Sequence, residues 1–271
     1  MVASFYPLYE AAARIGGNRV DVTNLTPAGV EPHDLELTPK DVDLILDARV
    51  VLYLGSGFQP AVQDAVRGRE DGVSFDLLRS IQGGLRSTTD EGALAGGRDP
   101  HIWLDPLLMA ELVDQIRGAL VRADPDGRAT FERNAESYGA EITALHQRFR
   151  DGLASCDRRV IVTAHAAFGY LAARYRLTQE AVAGVSPEAE PDPKRLADLT
   201  EVVRREGVTT IFTEELVSPR VAETLAREAG VATAVLNPLE GLTAAEQSAG
   251  ETYVSVMDHN LQTLRSALEC R

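Results

Sequence analysis

The chain of 271 residues sets 27 lysines and arginines against 41 aspartates and glutamates, a formal net charge of −14 at pH 7. A surface of that sign repels nucleic acid and anionic lipid and concentrates cations, which argues against a polyanion as the ligand. Hydrophobic residues at 44% and charged residues at 25% are ordinary for a folded globular protein. No apolar stretch approaches the roughly 20 residues that a membrane-spanning helix needs.

This length exceeds what one hydrophobic core usually serves, so two lobes are expected. Residues 2–6 read as a strand directly after Met1. The basic and apolar regions of a secretory leader are missing there, so the chain reads either as cytosolic or as a mature form with an added start methionine. Further β-branched or apolar runs predict strands at 20–25, 49–54, 73–75, 159–163, 179–183, 209–213 and 231–236. Between them the pattern predicts helices, among them 39–47, 106–122, 193–205 and 219–228. Each of these four opens on a proline, which lacks the N–H that a first helical turn leaves unpaired. Such alternation predicts an α/β protein with two mainly parallel four-stranded sheets flanked by helices.

Residues 82–98, rich in Gly, Ser, Thr and Asp, read as a surface loop. A long helical pattern over 124–155 then passes between the two groups of strands, a rod of about 45 Å at 1.5 Å per residue. It divides the chain into a lobe at 1–123, a rigid connecting helix at 124–155 and a lobe at 156–271, which a last helix at 251–268 closes. The two cysteines, Cys156 and Cys270, form no CxxC unit, which argues against a zinc ribbon. They read as one disulfide tying down the C-terminus, worth about 4–5 kcal/mol in the chain-entropy model, or as two unrelated buried thiols.

Three of the five histidines stand in motifs suited to a metal: Glu31-Pro32-His33-Asp34-Leu35-Glu36, Asp99-Pro100-His101-Ile102-Trp103-Leu104-Asp105-Pro106, and Thr163-Ala164-His165-Ala166-Ala167-Phe168-Gly169-Tyr170. Neutral imidazole is the commonest side-chain ligand of transition metals, and the carboxylates nearby can hold the second ring nitrogen. His33 follows one predicted strand, His165 follows another, and His101 precedes the helix that Pro106 opens. Ligands of parallel α/β sheets sit at the carboxyl ends of strands, so the three histidines are expected to meet in the cleft between lobes. A fourth ligand is expected from the loop after residues 231–236, where Glu240 offers a carboxylate and Asn237 a weaker amide oxygen. His146 and His259 read as solvated helix positions, and Trp103, Phe168 and Tyr170 as packing around the site.

Taken together, these motifs resemble the ZnuA-like solute-binding proteins of zinc and manganese ABC importers. The resemblance covers nearly the whole chain, including Ser4-Phe5-Tyr6-Pro7-Leu8, Glu188-Ala189-Glu190-Pro191, Ile211-Phe212-Thr213-Glu214 and Leu236-Asn237-Pro238-Leu239-Glu240. It implies two lobes bridged by one rigid helix, with a metal buried between them and His33, His101 and His165 at the family's histidine positions. It makes Glu240 the fourth ligand, because Asn237 stands where other members carry aspartate. A histidine at position 165, where manganese-type members commonly carry glutamate, points to Zn2+ over Mn2+. Residues 82–98 lack the histidine-rich loop of many zinc-type members. The implied protein is an extracytoplasmic monomer, in the periplasm or lipid-anchored at the cell surface, that passes zinc to an ABC permease and is not an enzyme.

Donor chemistry also favours zinc, since three imidazoles and one carboxylate suit its tetrahedral shell. A Mn2+- or Fe2+-binding receptor of the same family is the alternative within this class, and two rival classes remain. One is a zinc hydrolase with three histidine ligands and Glu36 or Glu240 as general base; the other is an adhesin-like surface protein whose zinc is structural.

Overall fold

In the computed structural model, which describes residues 1–81, 98–187 and 192–271, hydrophobic residues alternate along the strands in a way that buries both faces of each sheet. In the strand Val50–Tyr53, Val50 and Leu52 join one buried cluster and Val51 another. In Thr210–Thr213, Ile211 and Phe212 divide in the same way. Successive side chains of a strand point to opposite faces, so each strand serves two cores.

The first sheet takes β1 (Val2–Ala3), β2 (Thr23–Asn24), β3 (Val50–Tyr53) and β4 (Val73–Asp76) in the order β2-β1-β3-β4. The second takes β5 (Val160–Thr163), β6 (Thr178–Ala181), β7 (Thr210–Thr213) and β8 (Ala232–Val235) in the order β6-β5-β7-β8. Every pairing is parallel, as the strand–helix alternation predicts. The equivalent strand orders give each lobe a topological switch point.

The helices Pro39–Asp47 and Pro193–Arg205 fall on their expected limits. A capping box between Thr38 and Asp41 starts the first, and the Asp192 carboxylate caps the second. The expected strand at 2–6 is shorter, because Pro7 near the N-terminus of the helix Tyr6–Gly16 turns the chain out of the sheet after Ala3. The bridging helix also starts later than expected: Pro125–Gly127 form a 3-10 turn, and the α-helix runs Arg128–Gly152, about 38 Å. No helix among the described residues is long and apolar enough to cross a membrane.

One buried cluster runs through both lobes without a break. It takes Phe5 and Trp103 from the first lobe, Phe131, Tyr138 and Phe149 from the bridging helix, and Phe168, Phe212 and Tyr253 from the second. Cys156 and Cys270 form a disulfide, so the last helix, Tyr253–Ala267, is fastened close to the end of the bridge. Outside the described residues lie the expected loop at 82–98, all but Arg98, and the motif at 188–191.

Candidate metal centre

Each of the three motif histidines is set by a local turn. Pro32 starts a 3-10 turn over Pro32–Asp34, and the Glu31 carboxylate accepts the His33 backbone N–H at 3.1 Å. His101 precedes the turn Ile102–Leu104; its backbone N–H (3.0 Å) and its ring Nδ1 (2.8 Å) both meet Oδ1 of Asp99. His165 leaves the end of β5 in extended conformation, and Glu214, just past β7, takes its backbone N–H at 3.1 Å and its Nδ1 at 2.7 Å.

Glu240 comes from the loop after β8, where Leu239 adopts a left-handed φ of 56°. A non-glycine residue there is strained, and the surrounding bonds hold it. Asn237 Oδ1 accepts the Leu239 N–H at 2.7 Å, while Asn260 donates to the Asn237 carbonyl and accepts its N–H. The Asn237 amide group donates to Glu246, so its side chain serves the loop and not the centre.

These turns bring one donor atom each from His33, His101, His165 and Glu240 within 4.8 Å of one another. Glu240 Oε1 lies 2.9 Å from His101 Nε2, 3.3 Å from His33 Nε2 and 3.4 Å from His165 Nε2, and the Nε2 atoms of His101 and His165 are 3.3 Å apart. A tetrahedron whose corners stand roughly 2.0–2.1 Å from its centre has edges of about 3.3 Å. The side chains of His101, His165 and Glu240 are fully buried and that of His33 is 3% exposed.

The hydrogen bonds behind the rings fix what the donors can be. With Nδ1–H committed to Asp99 and Glu214, His101 and His165 turn Nε2 lone pairs towards the same point. His33 Nε2 stands near Glu240 but out of hydrogen-bonding alignment, and Glu240 Oε2 is buried without a partner. Only positive charge satisfies such a constellation, as protons or as a metal ion.

The charge states follow. Burial opposes protonation of His101, but the bonds and charges of Asp99 and Glu240 prevail and raise its pKa. Burial likewise works against a charged His165, and Glu214 with Glu240 carries its pKa well above the ordinary value. His33 is lowered, because burial outweighs Glu240. Burial would raise Glu240, but His165 and the bonds from the rings hold it well below the usual range. Glu31 is pushed up to about 10 by burial and by the neighbouring charge of Glu240.

Glu36 is exposed and stands apart from the cluster, which removes it as a general base. Four converging protein donors would also fill a tetrahedral shell, whereas catalytic zinc keeps one position open. His259 is exposed as expected, but His146 is half-buried, its Nδ1 3.1 Å from the Tyr175 hydroxyl. Trp103, Phe168 and Tyr170 are buried, and the Tyr170 hydroxyl donates to the Asp99 carbonyl. Sequence reasoning assigned no role to Glu214: it lies 49 residues from His165, and only the pairing of β5 with β7 brings the two together.

Two parallel α/β lobes closed over a buried set of three imidazoles and a carboxylate define a two-lobed binding protein with a cation-type site. Residues 1–267 match the family described as ZnuA, zinc-uptake complex component A, periplasmic, and the chain belongs to that family. It is 39% identical to the zinc-binding lipoprotein AdcA of Streptococcus pneumoniae, over 99% of this chain and 56% of that protein. The match to the high-affinity zinc uptake system protein ZnuA of Bacillus subtilis is 36% identical and covers 99% of this chain and 87% of that one. Among solved structures, the Zn(II)-bound ZnuA-like domain of S. pneumoniae AdcA superposes with a TM-score of 0.81 at 38% identity, over 99% of this chain and 98% of that domain. The chain spans about half the length of the AdcA proteins it matches.

Proposed function

We propose that the protein is an extracytoplasmic solute-binding protein that captures Zn2+ between its lobes and delivers it to an ABC permease. His33, His101, His165 and Glu240 are the ligands, supplied by an N-terminal lobe at 1–123 and a C-terminal lobe at 156–271. The observation that carries the reading is the convergence of four buried donor atoms within 4.8 Å, with Asp99 and Glu214 holding two of the rings so that their Nε2 lone pairs face inward. A resident zinc would place two positive charges among the carboxylates of Glu240, Asp99 and Glu214, in a pocket that burial makes hostile to any unpaired charge. The zinc-binding relatives support the choice of ion, and a closed four-donor shell supports a receptor over a hydrolase.

The test is metal competition. The stripped protein is equilibrated with equal zinc and manganese, desalted and weighed by native mass spectrometry, with Glu240→Ala alongside. The expected outcome is one zinc per chain, with retention lost or reduced in the variant. Retained manganese would replace the ion and keep the site; retention unchanged by Glu240→Ala would remove Glu240 from the ligand set.

A further inference from the structure

The indole of Trp103 spans the cleft immediately behind the metal centre. Trp103 follows His101 by two residues, and its Nε1–H donates at 2.8 Å to the carbonyl of Pro238, which precedes Glu240 by two. A single side chain from the first lobe is thereby bonded to the ligand loop of the second. Trp103 is itself held from the rear: its carbonyl accepts the Tyr253 hydroxyl at 2.7 Å. Tyr253 opens the last helix, and its backbone N–H donates at 2.6 Å to Oε2 of Glu10 on the first helix. The Tyr6 hydroxyl donates to the same oxygen at 2.6 Å, and the Tyr138 hydroxyl of the bridging helix lies 3.5 Å from the other.

Trp103 and Tyr253 are fully buried and Glu10 nearly so. A carboxylate in that position is costly to desolvate, and Glu10 belongs to no part of the ligand cluster. What it does is join the first helix, the bridge and the last helix at one point, from which a line of hydrogen bonds leads to both ligand loops.

We propose that Trp103, held in place by Tyr253 and Glu10, is the positioning residue that sets the gap between the lobes at the metal centre and so its preference for a four-coordinate cation. The inference rests on the zinc-receptor reading above. In the ion-free cage the four donor groups are crowded within 4.8 Å and cut off from water, and parting the lobes would let water solvate them. The bond from Trp103 to Pro238 resists that parting, so the cage is preformed and the ion is spared the cost of closing it. A looser cage admits water as additional ligands, which suits six-coordinate manganese better than tetrahedral zinc.

The experiment uses the full chain as wild type, Trp103→Phe, Tyr253→Phe, Glu10→Ala and Glu10→Gln. Zinc affinity is read by chelator competition, the zinc-to-manganese preference by mixed-metal loading, and the melting temperature of the ion-free protein serves as a control. Trp103→Phe and Tyr253→Phe are expected to lower zinc affinity about tenfold, the low end for partners behind a metal ligand, and to reduce the preference for zinc. Glu10→Ala follows in the same direction, and Glu10→Gln, which keeps an acceptor for the Tyr253 N–H, restores most of the loss. Tyr253→Phe removes one oxygen only, so it reports even if Trp103→Phe folds poorly. Lower melting temperatures with zinc affinity and preference unchanged would assign these residues to stability alone and overturn the proposal. A wild type that binds no zinc would overturn the receptor reading first, and this inference with it.

Discussion

Glu214→Ala separates the role of a carboxylate behind the metal from that of the ligands themselves. The substitution deletes both bonds that orient His165, at 3.1 and 2.7 Å, and leaves a buried ring N–H and a buried backbone N–H unpaired. Partners of this kind are worth about 10–100-fold in metal affinity, or roughly 1.4–2.7 kcal/mol. The loss should depend on pH, because Glu214 also helps to raise the pKa of ion-free His165, against burial. Ion-free His101 and His165, with raised pKa values, keep a proton that zinc must displace to higher pH than an ordinary imidazole, whereas His33, with its lowered pKa, gives its proton up earlier. Log affinity should then rise with pH in the wild type, by up to about two per unit where both rings are protonated. Without Glu214, His165 gives up its proton at lower pH and the slope becomes shallower. The two lines diverge as pH rises, with the penalty smallest in acid and largest above neutrality. Chelator competition from pH 6 to 8.5 measures both lines, and calorimetry in buffers of different ionisation enthalpy counts the released protons. Parallel lines, or affinities within twofold of each other throughout, would refute the reasoning.

Three further outcomes are expected. The raised pKa values of His101 and His165 give the ion-free protein stability that is full below the unfolded value near 6.5 and is lost as pH climbs through the folded values. Its melting temperature should therefore fall from pH 6 to 8.5, and because zinc binding strengthens over the same range, the gap to the zinc-loaded form should widen with pH, as calorimetry would reveal. Zinc at 1,000 times its dissociation constant adds about 4 kcal/mol, which should raise the melting temperature by roughly 8–16 °C on the scale of a domain this large. Replacing Cys156 and Cys270 by serine opens a loop with a sequence separation of 114 and should cost about 5 kcal/mol in the chain-entropy model, read from guanidinium unfolding.

Most strand positions could be read from the sequence because they fall in short β-branched or apolar runs, and several helix starts because a proline or a capping box marks them. Strand order was not legible, since parallel neighbours need not be neighbours in sequence. Asp99 could be expected behind His101, two residues away in one motif, whereas Glu214 could not be expected behind His165. The resemblance already favoured Glu240 over Asn237, but the left-handed turn at Leu239 beside it was not legible, a backbone conformation that leucine does not advertise. Trp103 read as packing because its bond to Pro238 crosses 135 residues of chain.

The bond between Cys156 and Cys270 makes the second lobe a ring hung on the end of a rod. The chain leaves the bridging helix, builds a whole sheet, and returns to within a few residues of its point of departure. A pull applied at Arg271 therefore travels through one sulfur–sulfur link into the bridge, and the strands beside His165 and Glu240 carry none of the load.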